Sequence, residues 1–541
     1  MENLAGANRQ SWLGWFFRGL LLLGLLVIFG RLVELQIIKG AYYRKLSESN
    51  RIRRIPITSA RGKILARGGE VLVGNKEVKK KIIFSTDAGF EKVVASEDVE
   101  GREISEFERS YPLSESFAHL SGYLGETNEE EVGRINPLCP EKGPRILGSY
   151  IGRSGLEEEY DCLLSGIDGE ELVEVDATGK PVRTLGTREP VSGSDLKTHI
   201  HFGLQQKLPE AMGESKGAVV ATNIKGEVLG VYSSPSFDPN LFVGERDASK
   251  ISAALKNPDL PFFNRAIGGA FHPGSVYKIV VATAALEEEK IDADFTYEDK
   301  GVVSVNNFDY TNWYYTQYGR TEGEIDVVRA MARSTDTFFY KIGEFLGAEK
   351  IADWSAKFGL GEGLGIDLPG EAIGLVPTPD WKKTVKGERW FLGNTYHVAI
   401  GQGDLTLTPL EVNTATSVIA TNGELCLPRI ASEPKCSEVK IKRENIDLVR
   451  EGMIEACSEG GTAFTFFDFE PQVACKTGTA ETEEADETHA WLTVFAPAEK
   501  PEIVLTVLVE RGGEGSSAAG PIATEILEYW FNQNSPPDDR P

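Results

Sequence analysis

The sequence predicts an α+β protein on a membrane anchor, in which an extended mixed module precedes a larger domain built from an antiparallel sheet with packed helices. Three observations carry that prediction. An apolar run opens the chain, short β-like runs separated by Gly, Pro and acidic turns fill residues 50 to 200, and two hairpin patterns bracket a mostly helical middle. At 541 residues the chain is too long for one core, and about 150 residues per domain gives two to four domains. A formal net charge of −25 argues against nucleic acid as a partner, because nothing neutralises phosphates over a broad face. The runs "RIRR" from Arg51 and "KKKI" from Lys79 read as solvated surface.

Trp12 to Gly30 is apolar apart from Arg18, which can snorkel to an interface, and about 20 such residues cross a bilayer. No small-residue cleavage site follows. Instead "RLVELQIIKGAYYRKL" continues as an amphipathic helix, so residues 12–38 read as an uncleaved signal anchor behind a short tail, 1–11. Charge does not set its orientation, since Arg31, Lys39, Arg44 and Lys45 follow it while Arg9 and Arg18 precede or interrupt it. No second apolar span is present, which puts everything after about residue 40 on one side of the membrane.

Beyond the anchor, "RIRRIPI", "EVLV" and "KKIIFS" read as short strands, and "GLEEEYDCLLSGIDGEELVEVDATGKPV" as a helix and a hairpin. "HFGLQQKLPEAM" is a helix, "KGAVVATNIKGEVLGVYSSPSFDP" a hairpin turning at Lys225-Gly226, and "THAWLTVFAPAEKPEIVLTVLVE" a second hairpin. Ile522 to Phe531 closes the domain as a helix, and "NQNSPPDDRP" is a disordered tail. The Gly-rich stretches from Gly359 and from Arg511 fit neither phosphate-loop pattern and read as loops. Six cysteines without a CxxC argue against structural zinc and against a disulfide-dense scaffold. Cys426 and Cys436 can pair across a turn if the domain is extracytoplasmic. Cys475 reads as an ordinary buried small side chain, turned by strand alternation from the face that presents Lys476.

Three motifs fall in one domain in a fixed order. They are "SVYK", Ser275 to Lys278, at a helix start; "STD", Ser334 to Asp336, between two helical stretches; and "KTGT", Lys476 to Thr479, in a β-rich run. Singly each is weak: a Ser at a helix start is ordinarily a cap, SxxK arises by chance about twice in such a chain, and Ser334 and Asp336 also suit a cap. Together they form the signature of acyl-serine enzymes. A serine hydroxyl attacks only when a base takes its proton, and a Lys at i+3 shares its helix face. Burial and a second cation, Lys476, lower the pKa of Lys278 enough for that work. Ser334 relays a proton to the leaving amine, and the Lys476-Thr477-Gly478 strand edge clamps a substrate carboxylate. The N–H groups of Ser275 and Thr479 form the oxyanion hole, aided by the helix N-terminus beneath Ser275.

On these motifs the chain resembles the class B penicillin-binding proteins, and the likeness runs from the anchor to about residue 531. "RGKILARGGEVLV", "GRSGLEEEYDCLLSGIDG" and "IGQGDLTLTPLE" are similar to family patterns outside the three motifs, whereas the acidic head segment, Gly74 to Leu147, has little of that pattern. The resemblance implies a single-pass DD-transpeptidase of peptidoglycan synthesis, inhibited by β-lactams. Its cytoplasmic N-terminus would be followed by a non-catalytic pedestal at 39–202, a penicillin-binding, serine β-lactamase-like transpeptidase domain at 203–533 and a disordered tail at 534–541. It further implies stem peptides as substrate and a SEDS-type glycan polymerase as partner through the anchor and pedestal, in the inner membrane with the catalytic domain periplasmic. Asp336, where Asn is common, resembles the elongation type more than the septal type. Some elongation-type members hold a metal between the first two motifs; here that stretch has Asp309 but no His or Cys, so no zinc and no other cofactor is expected.

Four rival readings fit the sequence less well. A carboxypeptidase or β-lactamase needs activated water for deacylation, and no ExxLN-like element lies between Ser334 and Lys476, so hydrolysis is expected to be slow. A β-lactam sensor needs a cytoplasmic output domain, and an inert activator of a polymerase has no use for complete nucleophile and base motifs. A bifunctional enzyme needs a glycosyltransferase-like domain, which the N-terminal region lacks.

Overall fold

The computed structural model describes residues 11–85, 89–95, 102–176, 180–244, 247–482, 484 and 487–534. Residues 1–10 of the expected leading tail and 535–541 of the expected trailing tail lie outside the described residues. Ser11–Val33 is helical and a wider turn continues it to Ile38. Trp12–Ile38 is long and apolar enough to cross a membrane, and none of it is buried. An apolar helix with no covering protein needs lipid around it, and we describe it as a single-pass anchor.

The described chain divides into two compact units, one of residues 11–60, 77–107 and 166–192, the other of 61–76, 108–165 and 193–534. In the first, strand Gly169–Val175 lies antiparallel between Ile52–Ile57 and Pro181–Arg188. Its small core is Ile55, Ile82, Val173 and Val175. The expected strands "EVLV" and "KKIIFS" are parts of one strand, Val71–Ser85. The backbone stays extended through Gly74 and Asn75, whose Nδ2 donates to the Arg61 carbonyl at 2.6 Å.

In the second unit two stretches that carried the family likeness meet. Glu157, fully buried, accepts from Arg61 Nε at 2.6 Å and from Arg109 Nε at 2.6 Å. Burial works against its charge, yet the two guanidiniums hold its carboxyl below the ordinary range. The expected helix is α1, Phe202–Met212, and the first hairpin is β1, Gly217–Thr222, and β2, Val228–Ser234, with an irregularity at Ala221/Thr222. The helical middle includes α2, Lys278–Glu287; α3, Val327–Arg333; α4, Asp336–Leu346; α5, Pro409–Ala420; and α6, Arg443–Ala456. Strands β3, Ala474–Glu481; β4, Thr488–Ala496; and β5, Ile503–Val509, complete an antiparallel sheet in the order β2-β1-β5-β4-β3. The closing helix α7 is longer than expected, Gly515–Asn534; it takes in half of the Gly-rich stretch read as a loop and Asn532 to Asn534 of the stretch read as tail. Gly515 is there because a Cβ would lie 2.5 Å from the Gly478 carbonyl oxygen.

Period-two alternation divides the sheet between two cores. Leu492, Val494, Leu505 and Val507 pack with Leu204 and Leu208 of α1 and Ile526 and Leu527 of α7. Trp491, Phe495, Val504 and Leu508 pack with α2 to α6. Polar groups tie α5 to this second face: Asn413, fully buried, donates to the Val220 and Val504 carbonyls and accepts from Thr222 Oγ1 at 2.7 Å. β3 is an edge strand, with no neighbouring strand on one side among the described residues.

Alternation turns Cys475 from the Lys476 face as expected, but Cys475 is no isolated side chain. It is disulfide-bonded to Cys457 at the end of α6, and Cys139–Cys162 and the anticipated Cys426–Cys436 are also paired. Strand spacing gave its direction and could not give a partner 18 residues away. Replacing both Cys457 and Cys475 by Ser should destabilise this unit by about 3 kcal/mol through the entropy returned to the unfolded chain. A denaturant melt of the full chain checks this; an unchanged midpoint would show that the bond contributes nothing.

Candidate functional site

Ser275 lies on a 3-10 turn, Gly274–Tyr277, that leads into α2 at Lys278. The expectation of an α-helix starting at Ser275 is corrected by one turn, but the consequence for facing holds, because side chains at i and i+3 eclipse in a 3-10 turn. Ser275 is half-buried, and its hydroxyl makes no hydrogen bond among the described residues. It caps nothing.

The turn is held from several sides. Gly274 N donates to Gly401 O at 2.9 Å, and Phe271 and Leu407 exchange backbone hydrogen bonds. Trp491 Nε1 on β4 donates to His272 O at 2.9 Å. Gly401 has φ +79° and a Cβ on it would lie 1.9 Å from Gly274 O, so this contact admits no side chain. This is the physical content of "IGQGD", a stretch that sequence reading noticed only as a family likeness.

Lys278 is fully buried. Its Nζ donates to Ser334 O at 2.8 Å, to Ser334 Oγ at 3.2 Å and to Asp336 Oδ1 at 2.6 Å, and stands 5.0 Å from the centre of the Phe339 ring. Three acceptors for three ammonium hydrogens describe a satisfied cation. Burial nevertheless pushes the amine below its ordinary value, and the Asp336 carboxylate pulls part of that shift back. The second motif thus meets the first by direct contact, with both Ser334 and Asp336 on one ammonium.

Ser334 ends α3 with φ +57° and ψ 38°, a left-handed conformation rare outside glycine. That backbone turns its carbonyl and its hydroxyl toward the same Lys278. Neither Ser334 nor Thr335 caps α4 with its side chain; Asp336 stands in the first turn and accepts from Trp313 N at 3.2 Å. The capping alternative for these residues is not what the structure holds.

The third motif lies against the first. Lys476, fully buried, donates to the Thr477 carbonyl at 3.0 Å and is depressed well below its usual value, first by burial and then by the charge of Lys278. A Cβ on Gly478 would lie 3.0 Å from Pro273 O, and one on Gly274 would lie 2.8 Å from Thr479 O. The glycine of "KTG" is thus the residue that lets β3 lie on the serine turn. Thr477 Oγ1 is hydrogen-bonded to Thr462 Oγ1 at 2.8 Å, while Thr479 is exposed. The eight expected positions, Ser275, Lys278, Ser334, Asp336, Lys476, Thr477, Gly478 and Thr479, come from three motifs that meet: Ser334 and Asp336 on the Lys278 ammonium, and the strand Lys476 to Thr479 against the serine turn. Sequence reading missed Gly401, Thr462, Trp491 and Asn312, the last of which accepts from Asp336 N at 3.1 Å. None belongs to the three short motifs, and only the "GQG" pattern signalled one of them.

Among the described residues, the one group of His, Cys, Asp and Glu donors within mutual ligating reach is Glu424, Cys426 and Cys436, and both sulfurs there are in a disulfide. Asp309 is on an exposed hairpin and accepts from Ser304 Oγ at 2.6 Å. A serine hydroxyl one turn from a buried amine of lowered pKa, a second hydroxyl on that amine, and an edge strand lying against the serine turn suit acyl transfer through a serine ester.

Comparison with known proteins agrees with this chemistry. The penicillin-binding protein transpeptidase domain matches residues 217–528, and the penicillin-binding protein dimerisation domain matches residues 95–198. The peptidoglycan D,D-transpeptidase MrdA of Acinetobacter baumannii is 30% identical over 598 residues, covering 96% of this chain and 87% of that protein. Penicillin-binding protein 2 of Helicobacter pylori, solved in complex with MreC, aligns with a TM-score of 0.77 at 26% identity, covering 89% of this chain and 99% of that one. A chain from a peptidoglycan synthase complex that coordinates polymerization and crosslinking aligns with a TM-score of 0.77 at 27% identity, covering 98% of this chain and all of that one. With the transpeptidase domain matched over more than half its length and the likeness to MrdA running nearly end to end, the chain belongs to the elongation-type penicillin-binding proteins, the peptidoglycan D,D-transpeptidases.

Proposed function

We propose that this transpeptidase works through Ser275 as nucleophile and Lys278 as its base, with Ser334 relaying the proton. The observation that supports this most is the fully buried Lys278 amine, one turn from Ser275 and in contact with both Ser334 and Asp336. Ser275 Oγ attacks the carbonyl of the penultimate D-Ala of a donor stem peptide, and its proton passes to Lys278. The tetrahedral oxyanion is received by the N–H groups of Ser275 and Thr479. Its collapse breaks the bond to the terminal D-Ala, whose amine takes the proton through Ser334. An acceptor amine then attacks the ester, returning Ser275 and completing the cross-link. Lys476, Thr477 and Gly478 form the edge that holds the substrate carboxylate, and a β-lactam follows the same first step and stalls.

The pedestal, residues 39–202, and the anchor are the surfaces we assign to a SEDS-type glycan polymerase. The likeness to a chain from a synthase complex supports that reading. We place the N-terminus in the cytoplasm and the catalytic domain in the periplasm, outside the inner membrane. Three disulfides support an oxidising compartment.

Intact-mass analysis of the full chain in detergent after exposure to a fluorescent penicillin should show one stable adduct on the wild type and none on Ser275→Ala. An adduct on folded Ser275→Ala would overturn the assignment. The pH dependence of acylation tests the base. Neutral Lys278 is the active form, so the rate rises with pH through its pKa, at a pH below the usual lysine range. Asp336→Asn removes the charge that pulls this pKa upward, so the rising limb should move to lower pH. Movement to higher pH would contradict the role given to Lys278.

A further inference from the structure

We propose that Asp299 and Asn312 are positioning residues of the acylation step, setting the Lys278–Asp336 pair and the left-handed Ser334 between them without touching substrate. This rests on the reading of Ser275, Lys278 and Ser334 just given. Asp299 has 2% of its surface exposed and has no ion-pair partner among the described residues. Four donors satisfy it: Gly301 N at 2.9 Å and Thr337 Oγ1 at 2.6 Å on Oδ1, Asn312 Nδ2 at 3.2 Å and Glu322 N at 2.9 Å on Oδ2. A buried carboxylate without a cation is expensive unless its lone pairs are filled, and here they are filled from four separate stretches of chain. One of them, Thr337, is in the first turn of α4, next to Asp336.

Asn312 carries the constraint onward. It is fully buried, and while its Nδ2 is held by Asp299 its Oδ1 accepts from Asp336 N at 3.1 Å. Its neighbour Trp313 donates from its backbone N to Asp336 Oδ2 at 3.2 Å and from Nε1 to Arg333 O at 3.0 Å. Residues 312 and 313 therefore grip the chain on both sides of Ser334, at Arg333 and at Asp336. A non-glycine residue persists in a left-handed conformation when its surroundings over-determine it, and this grip does so. Neither Asp299 nor Asn312 bonds to Lys278 or Ser334; both act through Asp336.

The charged and titratable groups around this arrangement include the ion pair of Arg333, stacked over Trp313, with Glu322, whose backbone N is bonded to Asp299. Lys278 faces Asp336 from α4 and Lys476 from β3; Asp336 also faces Tyr340; and Asp299 faces the phenol of Tyr297. Loosening Asp336 weakens the upward pull on Lys278, so the rising limb of acylation should move to lower pH while the maximal rate falls.

The test is penicillin acylation of the full chain in detergent, with rates per active site measured against pH, for wild type, Asn312→Ala and Asp299→Asn, the last preserving volume but turning an amide donor toward one pair of the donors that the carboxylate accepts from. A loss on the order of tenfold, the size expected for one misplaced hydrogen bond in a site, together with the acid-ward limb, is the expected result. A folded Asn312→Ala with wild-type rate and profile overturns the proposal. A lower melting temperature with fewer active sites but unchanged rate and profile also overturns it, since that is a purely structural role. If both variants fail to fold, the residues are staples of the fold and the proposal is wrong. If the wild type itself is not acylated at Ser275, the reading of the site fails first.

Discussion

A lysine ammonium with no exposed surface is the constraint around which this catalytic unit is arranged. Burial favours the neutral amine, a carboxylate 2.6 Å away favours the cation, and the balance leaves Lys278 below its ordinary value without stripping it of its proton partners. Either influence alone would be of little use to a serine hydroxyl. An exposed lysine stays protonated near neutral pH, and a buried amine without acceptors would leave polar hydrogens unpaired. Ser334, placed by an unusual backbone conformation, supplies two of the three acceptors and is thereby held against the amine.

The fold supplies that balance from opposite sides. Helix α2 begins at Lys278 itself, so the amine is fixed at the helix end nearest the serine turn while the rest of the helix is buried in one of the two cores. Edge strand β3 lies on the serine turn from the sheet side, and it approaches so closely that Gly478 and Gly274 have no room for side chains. Helix α6 and the segment after it connect the second and third motifs: Arg333 reaches the Gly460 carbonyl, Thr462 meets Thr477, and Cys457 is bonded to Cys475. The spacing between Ser334 and Lys476 is thus set by packing and by one covalent bond, not by either motif alone.

Much of this was legible in the sequence, for identifiable reasons. Strands β1, β2 and β5 are buried along their whole length and read as apolar runs between turn residues, and the anchor reads as an apolar stretch interrupted only by Arg18. The three motifs are visible because their chemistry fixes residue types over four or fewer positions. What stayed hidden depends on contacts between residues distant in sequence. Asp299 and Asn312 look like ordinary turn residues in "EDKG" and "YTNW"; only the folded chain brings them to Asp336. The pairing of Cys457 with Cys475, and of Cys139 with Cys162, follows from the packing of elements that local pattern does not relate. The extent of α7 was missed because glycine and serine at its start suggested a loop, whereas Gly515 is required by the backbone beneath it.

The most direct measurement of the central claim is a crystal structure of the benzylpenicillin adduct. The account predicts an ester bond to Ser275 Oγ, with the acyl oxygen between the N–H groups of Ser275 and Thr479, the carboxylate against the Lys476–Thr479 edge, and Lys278 still in contact with Ser334. A bond to any other side chain, or an acyl oxygen turned away from β3 with Lys278 withdrawn from Ser334, would contradict it.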